Sequence, residues 1–272
     1  MTADDAAFET LTREISRVVG VPLDIYKSKC LRRRIAVRMR ACGAHTFDEY
    51  LGVLGRTPAE YERLKDALTI NVTRFYRNPE TWDSLRTRFL PELLRARDGW
   101  LDAWSAGCSS GEEPYTVAML VAELAADAGR PSWLDRLRIE ATDIDRASLA
   151  HAAAAVYRRE AFQETPPELI ERHTRETPAG IGIVPSLRRR VEVRRFDLSQ
   201  ERMAPASFDL VLCRNVVIYF DRPMQERLFS HFADVLRPGG LLVLGKVESL
   251  LGPARERLTL VDTRERIYRA PA

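Results

Sequence analysis

The chain is poor in the residues that would make it a metal, disulfide or membrane protein. Its four cysteines, Cys30, Cys42, Cys108 and Cys213, are scattered through 272 residues, with no CxxC pair and no histidine at ligand spacing. That excludes a zinc site and a disulfide framework, and reads as reduced thiols in a cytoplasm. There are only four histidines, so a histidine-rich metal centre is not expected and no metal is assigned. No apolar run approaches the roughly 18 residues needed to span a bilayer. The opening MTADDAAFETL is acidic and lacks the basic-then-apolar order of a signal peptide. No internal repeat or low-complexity tract appears. What is present is an ordinary globular composition, 45% hydrophobic and 30% charged. The length suits a catalytic domain with a smaller partner.

The net charge of +3 hides an uneven distribution. Residues 26–40, YKSKCLRRRIAVRMR, carry seven Lys or Arg and no acid. A run of one sign this dense repels itself unless an anionic partner screens it. A second cluster, Arg188, Arg189, Arg190, Arg194 and Arg195, reads as a solvated face.

Two textures divide the chain. Before residue 100 the apolar residues recur at helical spacing: Phe8, Leu11, Ile15, Val18 and Val19, then Leu31, Ile35 and Met39, then Phe47, Tyr50 and Leu51. Gly20 and Pro22 stop the first of these helices. After residue 100, short apolar strand-like runs alternate with helical ones, which predicts a doubly wound, mainly parallel α/β sheet covered on both faces. The expected domains are a basic helical one over 1–70, a linker and helix over 71–98, and a catalytic domain over 99–272. The Pro- and Gly-rich stretch from Ala161 to Ser186 predicts an insertion over about 161–190, a small β-excursion between two units of the sheet.

Candidate chemistry begins with LDAWSAGCSSGEEP, residues 101–114. A strand ending at Ala106 should turn through Gly107, Ser109 and Gly111 into a helix starting near Pro114. Such a loop lies at the carboxyl edge of an α/β sheet, where ligands bind, and offers close backbone approach and free helical N–H groups. The ligand is not a dinucleotide: GxGxxG is absent, and Glu112 and Glu113 stand where a pyrophosphate would have to sit. A cationic nucleoside without phosphate, S-adenosylmethionine, fits instead. IEATDID then ends a strand at Asp143, about 30 residues on, where doubly wound folds place the acid that accepts ribose hydroxyls. Asp145 competes, or caps the next helix. FDLVLCRNVVIYFD predicts a strand ending in Arg214 and Asn215 at the same edge, and LRPGGLLVLGKVESL a helix, a Pro-Gly-Gly turn and a strand. Without further context Asn71 and Thr73 read equally well as helix caps, and Tyr219 as a core aromatic.

The segments NVTRFYRNP (71–79), WSAGCSSGEEPY (104–115), ATDID (141–145), CRNVVIYFD (213–221) and LRPGGLLVLGKVESL (236–250), in this order, resemble the CheR-type chemotaxis protein methyltransferases over nearly the whole chain. The resemblance implies a class I, Rossmann-like methyltransferase domain behind a small all-α domain. It implies a cytoplasmic enzyme that uses S-adenosylmethionine, yields S-adenosylhomocysteine, and methylates glutamate side chains of chemotaxis receptors. Cofactor contacts would come from Asn71, Thr73, Arg77, Glu113 or its neighbour Glu112, Asp143, Asp197, Leu198, Arg214 and Asn215. Asp197-Leu198 stand where the family usually has Asn-Leu, beside the adenine. Arg77 and Tyr219 would be catalytic, near the transferred methyl and its acceptor. Arg32, Arg33, Arg34, Arg38 and Arg40 would bind the Glu-rich receptor coiled coil. The expected protein is a monomer with no nucleic-acid partner and no membrane insertion. Some members tether a receptor's C-terminal peptide on the β-excursion; the corresponding stretch here, about 174–195, looks short, which favours a tether-independent enzyme. An RNA methyltransferase would need aromatics for base stacking beside its basic helix, and the 26–40 run has only Tyr26. A non-catalytic binder would not need Arg77, Arg214, Asn215 and Tyr219 together. A small-molecule enzyme would use an apolar lid.

Overall fold

A computed structural model describes residues 2–20, 22–68 and 73–272. Its residues cluster into two units, 1–70 together with 218–224, and 71–217 together with 225–272.

The first unit is helical. Helix α1 (Ala3–Val19) opens on a capping box: the Thr2 hydroxyl accepts from Asp5 N, and Asp5 accepts from Thr2 N at 3.1 Å. It ends at Gly20, whose φ of 73° is left-handed. Helices α2 (Ser28–Ala41), α3 (Phe47–Arg56) and α4 (Ala59–Leu68) follow. Phe8, Leu11, Ile15, Leu31, Ile35, Met39, Tyr50, Leu54 and Leu64 form its core. The segment 218–224 joins this unit by backbone pairing. Lys27 N donates to Tyr219 O at 2.9 Å and Asp221 N to Ile25 O at 2.7 Å, with the Tyr26 and Phe220 rings 4.9 Å apart.

The second unit begins with helices α5 (Pro79–Ser84) and α6 (Leu90–Ala96), joined by a π turn over Leu85–Phe89. Pro91 has no N–H and its ring crowds the carbonyl four residues back, so the chain widens just before it. The sheet and its flanking helices then alternate. Strand β1 (Leu101–Ala106) leads to α7 (Glu112–Asp127) and the short α8 (Ser132–Asp135). Strand β2 (Leu137–Asp143) leads to α9 (Arg146–Ala154). An excursion follows, made of β3 (Val156–Tyr157), α10 (Pro167–His173), β4 (Thr174–Thr177), β5 (Gly180–Ile183) and α11 (Pro185–Arg188). The chain returns through β6 (Val191–Arg195), β7 (Phe208–Cys213), α12 (Arg222–Val235) and β8 (Leu236–Leu244). It closes with α13 (Ala254–Arg257), β9 (Thr259–Asp262) and β10 (Ile267–Arg269).

Among the described residues the main sheet has the order β6-β2-β1-β7-β8-β10-β9. Strands β6, β2, β1, β7 and β8 are parallel, and β10 pairs antiparallel with both β8 and β9. This is the doubly wound, mainly parallel sheet expected. The chain runs outward from β1 on one side and from β7 on the other, so the crevice at the order reversal opens above their carboxyl ends. Trp104, in the middle of β1, is fully buried among Phe196, Phe208 and Phe232, each with its ring centroid 5.6 Å away. Its indole N–H donates to Thr142 Oγ1 at 2.9 Å, which leaves no polar atom stranded in that core.

Two sequence expectations need correction. The excursion starts at Val156, earlier than 161, as a three-stranded antiparallel sheet of order β3-β5-β4. Ala155 takes a left-handed φ of 53° and ends α9, freeing Val156–Tyr157 to pair with β5; an alanine gives no warning of such a stop. The Pro-Gly-Gly turn is no turn between elements. It lies inside β8, where Leu236 pairs with Phe208 and Leu241 with Leu210. The extra residues bulge out, with Gly239 at φ 74°.

The amino ends of β1 and β7 are clamped by one buried carboxylate. Asp209 Oδ2 accepts from Asp102 N at 2.8 Å, from Arg237 Nη1 at 3.1 Å and from Arg97. Asp209→Ala strands the Asp102 backbone N–H and leaves Arg97 and Arg237 only Asp102 to pair with, and should lower the unfolding free energy by about 2 kcal/mol. Urea denaturation followed by circular dichroism measures it; an unchanged midpoint would show the clamp to be idle.

Candidate active site

The loop after β1 takes left-handed conformations at Gly107 (φ 85°), Ser109 (φ 49°) and Gly111 (φ 96°). At Gly107 a side chain is excluded twice: by the φ, and because a Cβ would stand 2.5 Å from Val216 Cγ2. The loop is fixed to the end of β2, with Gly107 N and Cys108 N donating to Thr142 O at 2.8 and 2.9 Å. Helix α7 starts at Glu112, two residues before the expected Pro114.

The two aspartates that competed for a ligand role do different work. Asp145 caps α9, accepting from Ala147 N at 3.1 Å, Ser148 N at 3.3 Å and the Ser148 hydroxyl at 2.8 Å. Asp143 closes β2 at the crevice, accepting from Ser109 N at 2.9 Å and Asp145 N at 3.0 Å. Burial holds the Asp143 carboxyl above its ordinary range.

Glu112 and Glu113 occupy the first turn of α7. Glu112 is 5% exposed, and the Ser110 hydroxyl lies 2.8 and 3.0 Å from its two oxygens. Glu113 accepts from the Ser105 hydroxyl at 2.8 Å and faces Arg214 Nη1 at 3.6 Å. Burial raises both carboxyls, and for Glu113 the charges of Arg214 and Arg77 work in the other direction. Arg214, its side chain 2% exposed, donates to Arg77 O at 2.7 Å and Asn78 Oδ1 at 3.1 Å, and lies 5.0 Å from the Trp82 ring centroid. Burial pulls its pKa down, with Glu113 opposing; a guanidinium stays charged regardless. Asn215, at φ 60°, donates its N–H to Glu248 Oε2 at 2.9 Å, which also accepts from Gly245 N at 2.6 Å.

Residues 73–78 cross in front of α7 as a strap. Phe75 N donates to Ala161 O at 2.9 Å and Tyr76 N to Thr116 Oγ1 at 3.3 Å, while the Trp82 indole N–H donates to Arg77 O at 3.0 Å. Thr73 and Arg77 are half-buried within it. Asn71 lies outside the described residues. Asp197, just past β6, accepts from Ser199 N at 2.8 Å, the Ser199 hydroxyl at 2.6 Å and the Gln200 amide at 3.1 Å. Its carboxylate thus closes its own turn, and Leu198 beside it is half-buried.

Three buried polar atoms among these residues have no hydrogen-bond partner: Ser109 Oγ, Arg214 Nε and Asn215 Oδ1. Buried polar atoms are almost always satisfied, so a polar ligand at the carboxyl ends of β1 and β7 is the natural complement. Carboxylates of Glu113 and Asp143 favour an ammonium and hydroxyls there over phosphate. Among the described residues no group of three or more His, Cys, Asp or Glu can hold a metal ion.

The remaining candidates lie in the helical unit, and the five arginines do not share one face. Arg32 pairs with Asp4 at 2.8 Å and Asp5 at 2.7 Å over the Phe8 ring. Arg38 holds buried Glu60 through two bonds of 2.9 and 2.8 Å. Arg34 is buried, donates to Leu68 O, and stacks 4.3 Å from the Tyr219 ring centroid. Arg33 and Arg40 are exposed, and with Lys29 and Val37 (49% exposed) they form one stripe at helical spacing. A helix turns 100° per residue, so a run of consecutive arginines necessarily points to different sides.

Sequence reasoning missed Ser105, Thr116 and Glu248. Each holds its neighbours through local hydrogen bonds, which leave no periodic or spacing signal; Glu248 sits inside the quoted GKVESL.

Two family models match the chain: "CheR methyltransferase, all-alpha domain" over residues 6–69 and "CheR methyltransferase, SAM binding domain" over 71–267. The chemotaxis protein methyltransferase of Listeria monocytogenes is 36% identical over 245 residues, covering 89% of this chain and 90% of the relative. That of Klebsiella aerogenes is 34% identical, covering 93% and 86%. That of Escherichia coli is 30% identical, covering 92% and 86%. S-adenosylmethionine is accordingly the cofactor, and the acids and unpartnered atoms at the crevice fit it.

Because burial lifts the pKa of Glu112, its protonated form stabilises the fold, and that contribution is lost as pH rises through the unfolded and then the folded value. Glu112→Gln stays neutral. It should raise the melting temperature of the ligand-free protein by a few degrees at about pH 7 and change it little at about pH 4. Scanning calorimetry at both pH values checks this; a melting temperature lowered at both would show the carboxylate to be stabilising.

Proposed function

The chain belongs to the CheR methyltransferase family, and from that premise we propose that it esterifies glutamate side chains on the cytoplasmic coiled coil of chemotaxis receptors, as a monomeric enzyme of sensory adaptation. The observation that carries this reading is the buried Glu113 held between Ser105 and Arg214, with the Arg77 charge acting on both partners of the pair. It makes the crevice acidic where a phosphate would sit and basic where an acceptor carboxylate would come.

When bound, S-adenosylmethionine supplies a methyl group on a positively charged sulfur. Glu113, with Glu112 behind it, would hold the cofactor's ammonium, and Asp143 its ribose hydroxyls. Asn71, Thr73, Arg214 and Asn215 would line the methionine part, with Asp197 and Leu198 beside the adenine. A glutamate carboxylate is ionised near neutral pH, so no residue has to act as a base. Arg77 would hold and orient the acceptor carboxylate, and positioning of this kind supplies most of the acceleration. Tyr219 is the second catalytic candidate, through its hydroxyl. The stripe Lys29, Arg33, Val37 and Arg40 offers positive charge around an apolar centre to a Glu-rich receptor helix, steering its approach. The excursion's strands are two to four residues long, in keeping with an enzyme that works without a receptor tether.

The direct test is incubation with labelled S-adenosylmethionine and receptor cytoplasmic fragments. Label released by mild base, as from a carboxyl ester, is the expected result; base-stable label would reject a glutamate ester. Arg77→Ala should lose about a hundredfold in kcat with cofactor affinity held within about threefold, whereas Asp143→Ala should weaken cofactor binding about tenfold. Calorimetric titration showing binding abolished in the Arg77 variant would remove the methyl-site role. Arg33→Glu combined with Arg40→Glu should lower kcat/KM about tenfold at low salt and flatten its salt dependence. A salt profile identical to wild type would take the stripe out of receptor binding.

A further inference from the structure

The strap that carries Arg77 is held in an unfavourable shape from the side of the excursion. Tyr76 and Asn78 both adopt left-handed backbone, φ 57° and 63°, a strained conformation for an aromatic residue. Such a conformation persists only where neighbours over-determine it. On one side Arg214, Trp82 and Thr116 bind the strap. On the other stands the turn Ala161–Glu164, at the entry to α10. Glu164 Oε1 accepts from Arg74 Nη1 at 2.8 Å and its Oε2 from Asn78 N at 3.0 Å, so one carboxylate grips the strap on both sides of Arg77. Between those two points Phe75 N donates to Ala161 O, and the Phe75 ring stacks on Phe162 at 4.3 Å with 7° between planes.

We propose that Glu164 is a positioning residue for methyl transfer: by holding Arg74 and Asn78 it fixes the left-handed turn that presents Arg77. This rests on the reading of Arg77 as the residue that orients the acceptor. Glu164 touches neither cofactor nor substrate in this scheme. It sets where Arg77 stands, and it makes the excursion part of the catalytic apparatus. The two bonds can be weakened in steps. Arg74→Ala removes one grip, Glu164→Gln keeps one accepting oxygen for two donors, and Glu164→Ala removes both.

The test measures kcat, KM and S-adenosylhomocysteine affinity for these variants, alone and in an Arg77→Ala background, with receptor fragments as acceptor. Glu164→Ala should lower kcat about tenfold, with affinity for S-adenosylhomocysteine within about twofold of wild type. Glu164→Gln and Arg74→Ala should fall between. In the Arg77→Ala background Glu164→Ala should bring no further loss, because residues acting through one another are not additive. A kcat unchanged in Glu164→Ala while Arg77→Ala is impaired overturns the proposal and leaves the role of Arg77 standing. The same fold loss in both backgrounds overturns it too, by showing a merely structural effect. A full rate in Arg77→Ala alone overturns the Arg77 reading and the proposal with it. Should Glu164→Ala fail to fold, Arg74→Ala, which removes one half-buried ion pair and leaves the Asn78 bond, carries the same comparison.

Discussion

A carboxylate withdrawn from water has to be matched by positive charge or give up its own. Glu113 meets that demand with Arg214, and most of the crevice is arranged around the answer. Arg214 comes from the end of β7 and Glu113 from the head of α7, so the pair ties the two sides of the order reversal together. The same guanidinium reaches Arg77 O and Asn78 Oδ1, so the strap is built onto the pair. Ser105 adds a bond from β1 itself. The pair therefore joins β1, β7, α7 and the strap in one network of charge and hydrogen bonds.

The network also explains the choice of ligand. A helix N-terminus ordinarily welcomes anions, through its free N–H groups and its dipole. Here the first turn of α7 already carries Glu112 and Glu113, and the loop before it is closed over Asp143. The anion is supplied by the protein. Burial pushes all three carboxyls up, and what would offset that cost is a cation with hydroxyls.

The sheet was legible in the sequence because parallel strands buried on both faces are written as short apolar runs; β7 is buried at all six positions. The glycine loop was legible because left-handed backbone at Gly107 and Gly111 demands that residue type. Other features leave no such trace. Ala155 and Tyr76 take left-handed shapes that only their surroundings impose. The pairing of Tyr26 with Phe220 joins distant parts of the chain, so nothing local announces that 218–224 packs with the helices. The arginines of α2 read as a single charged run, yet Arg32, Arg34 and Arg38 each found a partner of their own, because acids and rings from α1, α4 and 218–224 happen to lie on different sides of the helix. Asp143 and Asp145 were separable only by geometry, since a helix cap and a strand-end acid look alike two residues apart.

The far edge of the sheet is assembled out of chain order. Among the described residues, strand β9 meets the rest of the sheet only through β10, which is made after it. A frameshift just before Ile267 would therefore affect two strands at once: β9 would lose its partner, and β8, with Leu241–Leu244 buried and still paired to β7, would present an unpaired edge to any other chain. For such a truncated product the hazard is clumping with its own kind, arising on the side of the sheet remote from β2 and Asp143.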